Sequence, residues 1–179
     1  MEWNPKLIVI GYVLNGPEID PIQPLHRYFQ EAKWWQRLNI LRLVAEEINS
    51  YDINNLGNGD YIRYLHNRDS EKWRSVKIAL SDIQETIGKN DILVILTIFP
   101  MMEGGEWGGY KYSDVHSQVV NAGEGAGFNA IDLTDVYSAY PQMSLKVAHN
   151  DAHPNALGHK LAAEAIYKNI QEYNLLKCM

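Results

Sequence analysis

A single cysteine in 179 residues, Cys178 beside the C-terminus, excludes an intramolecular disulfide framework and leaves the redox compartment open. Long apolar runs are missing as well. The longest, Leu7 to Val13 and Ile92 to Phe99, are too short to cross a bilayer as helices, so no membrane span is expected. The start, Met1-Glu2-Trp3-Asn4-Pro5, has no basic region followed by an apolar core, and no signal peptide is visible. Nor is there a basic excess. Lys and Arg number 16 against 22 acidic residues, and this acidic balance argues against a nucleic-acid partner, which a basic stripe usually recognises. Repeats and low-complexity segments are absent. What remains, 46% hydrophobic and 21% charged residues, is the composition of a globular protein long enough for one domain.

The order of elements follows from apolar spacing. Leu7-Ile8-Val9-Ile10 is a β-branched run of the kind buried on both faces of a parallel sheet. A connection through Pro17, Pro21 and Pro24 follows, which cannot be regular helix or inner strand. Trp34, Leu38, Leu41, Val44, Ala45 and Ile48 predict a helix over about 32–50, and 54–59 is a loop by composition. Trp73, Val76, Leu80, Ile83 and Ile87 predict a second helix, with Ser70 as N-cap and Gly88 as its stop. Residues 91–99 form a second buried strand ended by Pro100. A glycine-rich surface loop over 101–110 and a helix from Ser113 to between Ala122 and Ala126 come next. Residues 128–133 give a third strand. A final helix carries Leu157, Leu161, Ala165, Ile166 and Ile170. Strands alternating with helices define an α/β protein with a parallel sheet and right-handed crossovers. Ligands in such sheets bind at the carboxyl ends of the strands, where Asn15, the 101–110 loop and the segment around Asp151 all fall.

That last segment carries the chemistry. Asp151 and His153 sit two apart in a short loop ahead of a helix start, followed by Pro154 and Asn155. A carboxylate fixes the tautomer of a neighbouring imidazole, which then accepts a proton from a nucleophile. Plainer readings stand beside this one. His153 also reads as a structural cap, Asp151 as a helix-capping acid favoured by the dipole, and Asn15 as a turn residue. His149, His153 and His159 invite a zinc reading without an evident fourth ligand. Trp34, Trp35 and Trp73 read as packing residues, and one of the adjacent pair is free to cover a partner surface. Trp107 and Tyr110 read either as pocket lining or as ordinary loop.

Asp151-Ala152-His153-Pro154-Asn155, with the Ala156-Leu157-Gly158-His159 helix start, resembles the acid-and-base block of the SGNH (GDSL-type) hydrolases. Leu7 to Asn15 is similar to that family's strand ending in an oxyanion-hole asparagine. In element order the likeness covers nearly the whole chain. It implies a three-layer α/β/α, flavodoxin-like fold over a single domain, residues 1–179. It also implies Ser-His-Asp hydrolysis of an acyl ester or a carbohydrate acetyl ester, with His153 as base, Asp151 as its orienter and Asn15 as oxyanion donor. No metal or organic cofactor is implied. Three departures accompany it. The family's Gly-Asp-Ser block has no counterpart: Gly59-Asp60 is followed by Tyr61, and the family's second block, with its glycine oxyanion donor, is missing too. Gly16 follows Asn15 where an aspartate is usual. The commonest spacing lands on Asn150 rather than Asp151. The resemblance therefore implies a hydrolase portion whose first strands and serine are missing, inactive alone. The alternative is a non-catalytic assembly module that completes its sheet with a second copy or a complementing chain.

Overall fold

The computed structural model describes residues 5–17, 59–87, 92–103, 105–149 and 151–172. Pro21, Pro24, the helix expected over 32–50, Trp34, Trp35, Gly88, Asn150 and Cys178 lie outside the described residues. The chain divides into two compact units, Asn15–Val76 and Met1–Leu14 with Lys77–Met179.

The second of these units holds a parallel sheet of β1 (Leu7–Val13), β2 (Leu93–Phe99) and β3 (Asn129–Asp132), in that spatial order. Leu7 pairs with Leu93 and Val13 with Phe99, while Ile95 pairs with Asn129 and Ile98 with Asp132. The expected three strands and their parallel sense are therefore present. β2 is central, and Ile95, Leu96 and Ile98 are fully buried, each stabilising the fold by roughly 1.5–3 kcal/mol through lost apolar surface.

β1 departs from expectation. It reads as buried on both faces, but among the described residues it is an edge strand, with Val9 45% and Val13 47% exposed. A continuous apolar run reports hydrophobicity, not neighbours, so it cannot tell a central strand from an edge strand whose second face is open.

Helices cover both faces of β2 and β3. α2 (Glu71–Ile87) begins at Ser70, whose hydroxyl accepts the Trp73 N–H at 3.1 Å as its capping role requires. Upstream, Asp60 caps the short α1 (Tyr61–Leu65) by accepting the Arg63 N–H at 3.1 Å. α3 (Ser113–Gly125) lies on the face of Leu96 and Ile98, burying Val115, His116, Val119 and Gly123. A Cβ at Gly123 would come to 2.5 Å from Leu96 Cδ2, so any larger residue there would force the buried Leu96 side chain to shift. The helix ends in a Schellman turn: Gly127 has φ +81, Phe128 N–H reaches Gly123 O, and Gly127 N–H reaches Glu124 O, both at 2.9 Å.

The other face carries α6 (Ala156–Glu172). Its stripe of Leu161 and Ala162, with Leu157 and Ala165 at the margins, packs into one core with Met102, Leu133, Tyr137, Leu145, Phe99 and Ile131. Two one-turn helices, α4 (Thr134–Tyr137) and α5 (Gln142–Leu145), lead from β3 towards it. Between α5 and α6 stands a hairpin of β4 (Lys146–Ala148) and β5 (Asp151–Pro154). The segment expected to be a loop around His153 is therefore a short antiparallel strand. Its period-2 pattern is too brief, at four residues, to be read from sequence.

Candidate functional site

β5 delivers Asp151 and His153 to the same place. Asp151 Oδ1 accepts the His153 ring at Nδ1, 2.6 Å, and the His153 backbone N–H, 3.0 Å. The two bonds make a closed local motif in which the carboxylate grips both the main chain and the imidazole of the same residue. The backbone bond first, and then the ring bond, hold the Asp151 carboxyl below its usual range. With Nδ1–H donated to the carboxylate, the ring presents Nε2 as its acceptor nitrogen. The His153 side chain is 85% exposed, and among the described residues no hydroxyl hydrogen-bonds that nitrogen.

Neither residue supplies the cap hydrogen bonds of α6. Asn155 is the cap, and it uses every polar atom of its amide. Oδ1 accepts the N–H groups of Leu157 (2.9 Å) and Gly158 (3.1 Å), while Nδ2 donates to Ser144 O (2.9 Å) and Lys146 O (3.0 Å). Its backbone N–H bonds Leu145 O at 2.7 Å. The Pro154-Asn155 pair thus locks the end of β5 to α5, β4 and α6 at once. Gly158 permits this approach. A Cβ there would lie 2.9 Å from Pro154 Cβ and 3.2 Å from Leu145 O, and the Gly158 carbonyl accepts the Tyr137 hydroxyl at 2.8 Å. Burial pushes the Tyr137 phenol up to about 12, so it remains a donor.

A second Asp–His pair was not legible in the sequence. His116, on α3, is buried and sends Nδ1 to Asp132 Oδ1 at 2.8 Å, at the carboxyl end of β3. Its Nε2 meets the Tyr110 hydroxyl at 3.0 Å, and that hydroxyl accepts the Met101 N–H at 2.9 Å. Thr134 N–H also bonds Asp132 Oδ1, at 2.8 Å. Burial alone would raise the Asp132 carboxyl, but the His116 bond and charge, with Thr134, outweigh it and bring it below its usual range. Burial pushes the Tyr110 phenol upward and keeps it neutral. Both nitrogens of His116 are therefore occupied by protein, whereas His153 has one nitrogen turned to solvent.

The remaining residues singled out from sequence fall as follows. Asn15 is exposed in the turn after β1 and belongs to the other compact unit. Trp107 donates Nε1–H to Tyr140 O at 2.6 Å and stacks, tilted, on Tyr110, so both rings are built into the 101–110 segment. Trp73 is buried and packs against His66. Among the described residues no three His, Cys, Asp or Glu side chains gather where a metal ion would be held, and His149, His153 and His159 do not converge. No helix among the described residues is long and apolar enough to cross a membrane. The class these residues define is α/β with a three-stranded parallel sheet. Compared with family models, with curated proteins and with solved structures, the chain matches none.

Proposed function

We propose that Asp151 and His153 form the general-base pair of a serine acyl-ester hydrolase of the SGNH type, acting on a small-molecule or carbohydrate ester. The observation that carries this reading is the 2.6 Å bond from His153 Nδ1 to Asp151 combined with a solvent-facing Nε2. A base must have its accepting nitrogen within reach of the proton it takes, and only this pair of the two offers one. In the reaction, a serine oxygen attacks the ester carbonyl while its proton passes to Nε2. His153 then returns that proton to the leaving alkoxide, and water hydrolyses the acyl-serine by the same route. The serine comes from outside the described residues. Ser113, Ser117, Ser138 and Ser144 each donate to a backbone carbonyl three or four residues earlier, and none hydrogen-bonds His153. Asn15 belongs to the other compact unit, and the oxyanion role is for it only what the resemblance implies.

Cleavage of 4-nitrophenyl acetate tests the base, because an exposed imidazole attacks an activated ester without a serine. The expected result is slow hydrolysis to which His153 contributes most: H153Q lowers it more than H149Q or H159Q does, and D151N removes part of the same share. Equal rates in H153Q and the parent chain would sink the reading.

One observation favours the second reading, an assembly module. Val9 and Val13 stand half-exposed on β1, an edge strand among the described residues, where a complementing chain would cover them and extend the sheet. A stable monomer that binds no hydrophobic dye would count against it.

A further inference from the structure

Lys146 is buried, at 7% exposed, where a lysine seldom sits without a partner. Its Nζ donates to His149 O at 2.8 Å, reaching along its own hairpin to the turn that precedes Asp151. Ala148 pairs with Asp151 and Lys146 with Pro154, and the turn carbonyl it grips belongs to His149, two residues before the start of β5. The Lys146 backbone carbonyl, meanwhile, accepts Asn155 Nδ2 at 3.0 Å, immediately after the end of β5. One residue is thus tied to both ends of the four-residue strand that bears Asp151 and His153. After the two hydrogen bonds from His153, the positive charge of Lys146 also contributes to holding the Asp151 carboxylate ionised.

We propose that Lys146 is a positioning residue for the Asp151–His153 pair: its ammonium clasps the His149 carbonyl and so fixes the register and direction in which β5 presents both side chains. The importance of that pair rests on the hydrolase reading, but the clasp itself does not. A methionine fills the same space with no donor, and the freed carbonyl would then relax towards water. An arginine keeps both length and charge.

The test is nuclear magnetic resonance on the full chain, in the parent and in K146M, K146Q and K146R. The reporters are the His153 Nδ1–H resonance and amide exchange at 149–153. In K146M the Nδ1–H signal is expected to broaden beyond detection, with exchange at 149–153 about tenfold faster while β2 and α3 stay protected. K146R is expected to restore both. If K146M does not fold, K146Q takes its place: glutamine is too short to reach the carbonyl, so loss of the signal supports the clasp. A persistent Nδ1–H signal with unchanged exchange, in whichever of the two folds, overturns it. These readouts need no turnover. Ester cleavage that H153Q leaves unchanged, with the expected spectra, would defeat the hydrolase reading alone, and His153-dependent cleavage with unaltered K146M spectra would defeat the clasp alone.

Discussion

His116 Nδ1 meets Asp132 Oδ1 at 2.8 Å, the same pairing that His153 makes with Asp151, but the second nitrogen of His116 is closed by the Tyr110 hydroxyl. Chemistry of one kind is used twice, once as mortar and once at the surface. Replacing His116 by leucine takes one partner each from the half-buried Asp132 carboxylate and Tyr110 hydroxyl, which keep the Thr134 and Met101 N–H groups. H116L is therefore expected to lose about 1–3 kcal/mol in urea unfolding, the cost of two lost hydrogen bonds at ~0.5–1.5 kcal/mol each. A loss within experimental error would show that the relay contributes nothing.

Acid should weaken the fold by a definite route. Asp132 and Asp151 are both held below their usual carboxyl range, so each contributes stability that is complete above the unfolded value of about 3.9. That contribution disappears as pH falls through the lower native values. Urea midpoints measured between neutral pH and about pH 2 should drop below ~4, and D132N and D151N should each flatten that fall. An unchanged slope in both variants contradicts the assignment.

Two glycines separate packing from helix propensity. G158A drives a methyl group to 2.9 Å from Pro154 Cβ, and is expected to destabilise by about 1–3 kcal/mol despite alanine's better propensity. Gly125 has nothing within 4 Å of its virtual Cβ, so G125A should be neutral or stabilising by up to about 1 kcal/mol. Thermal unfolding of the two variants side by side reads the difference, and equal effects would refute the close approach at Gly158.

Asn155 joins four partners through one amide, so N155A is expected to cost about 2 kcal/mol or more, beyond an ordinary N-cap loss of ~1 kcal/mol. N155D keeps the cap but loses the two donations from Nδ2, and should fall between. Denaturant unfolding that ranks N155D below N155A would show that the cap, not the tie to Ser144 and Lys146, is dispensable.

The legible parts of this fold are those written in local spacing. Leu93 to Phe99 and the Trp73–Ile87 stripe announce their elements because long apolar patterns have one period. The Asp151–His153 contact was also legible, because two residues apart in sequence cannot be far apart in space. His116 and Asp132 are 16 residues apart on different elements, and only the packing of α3 over β3 brings them together. Asn155 was read as part of a block without its purpose, since its four partners come from α5, β4 and α6. The edge position of β1 among the described strands was illegible for the same reason: it depends on which strands pair, not on what β1 contains.

The central proposal is that His153 acts as general base towards a serine, and fluorophosphonate labelling read by mass spectrometry tests it most directly. The account predicts no adduct on Ser113, Ser117, Ser138 or Ser144, whose hydroxyls are each bound to a backbone carbonyl. It predicts that any serine that does label loses the label in H153Q. An adduct on one of those four serines, or labelling that ignores His153, would contradict it.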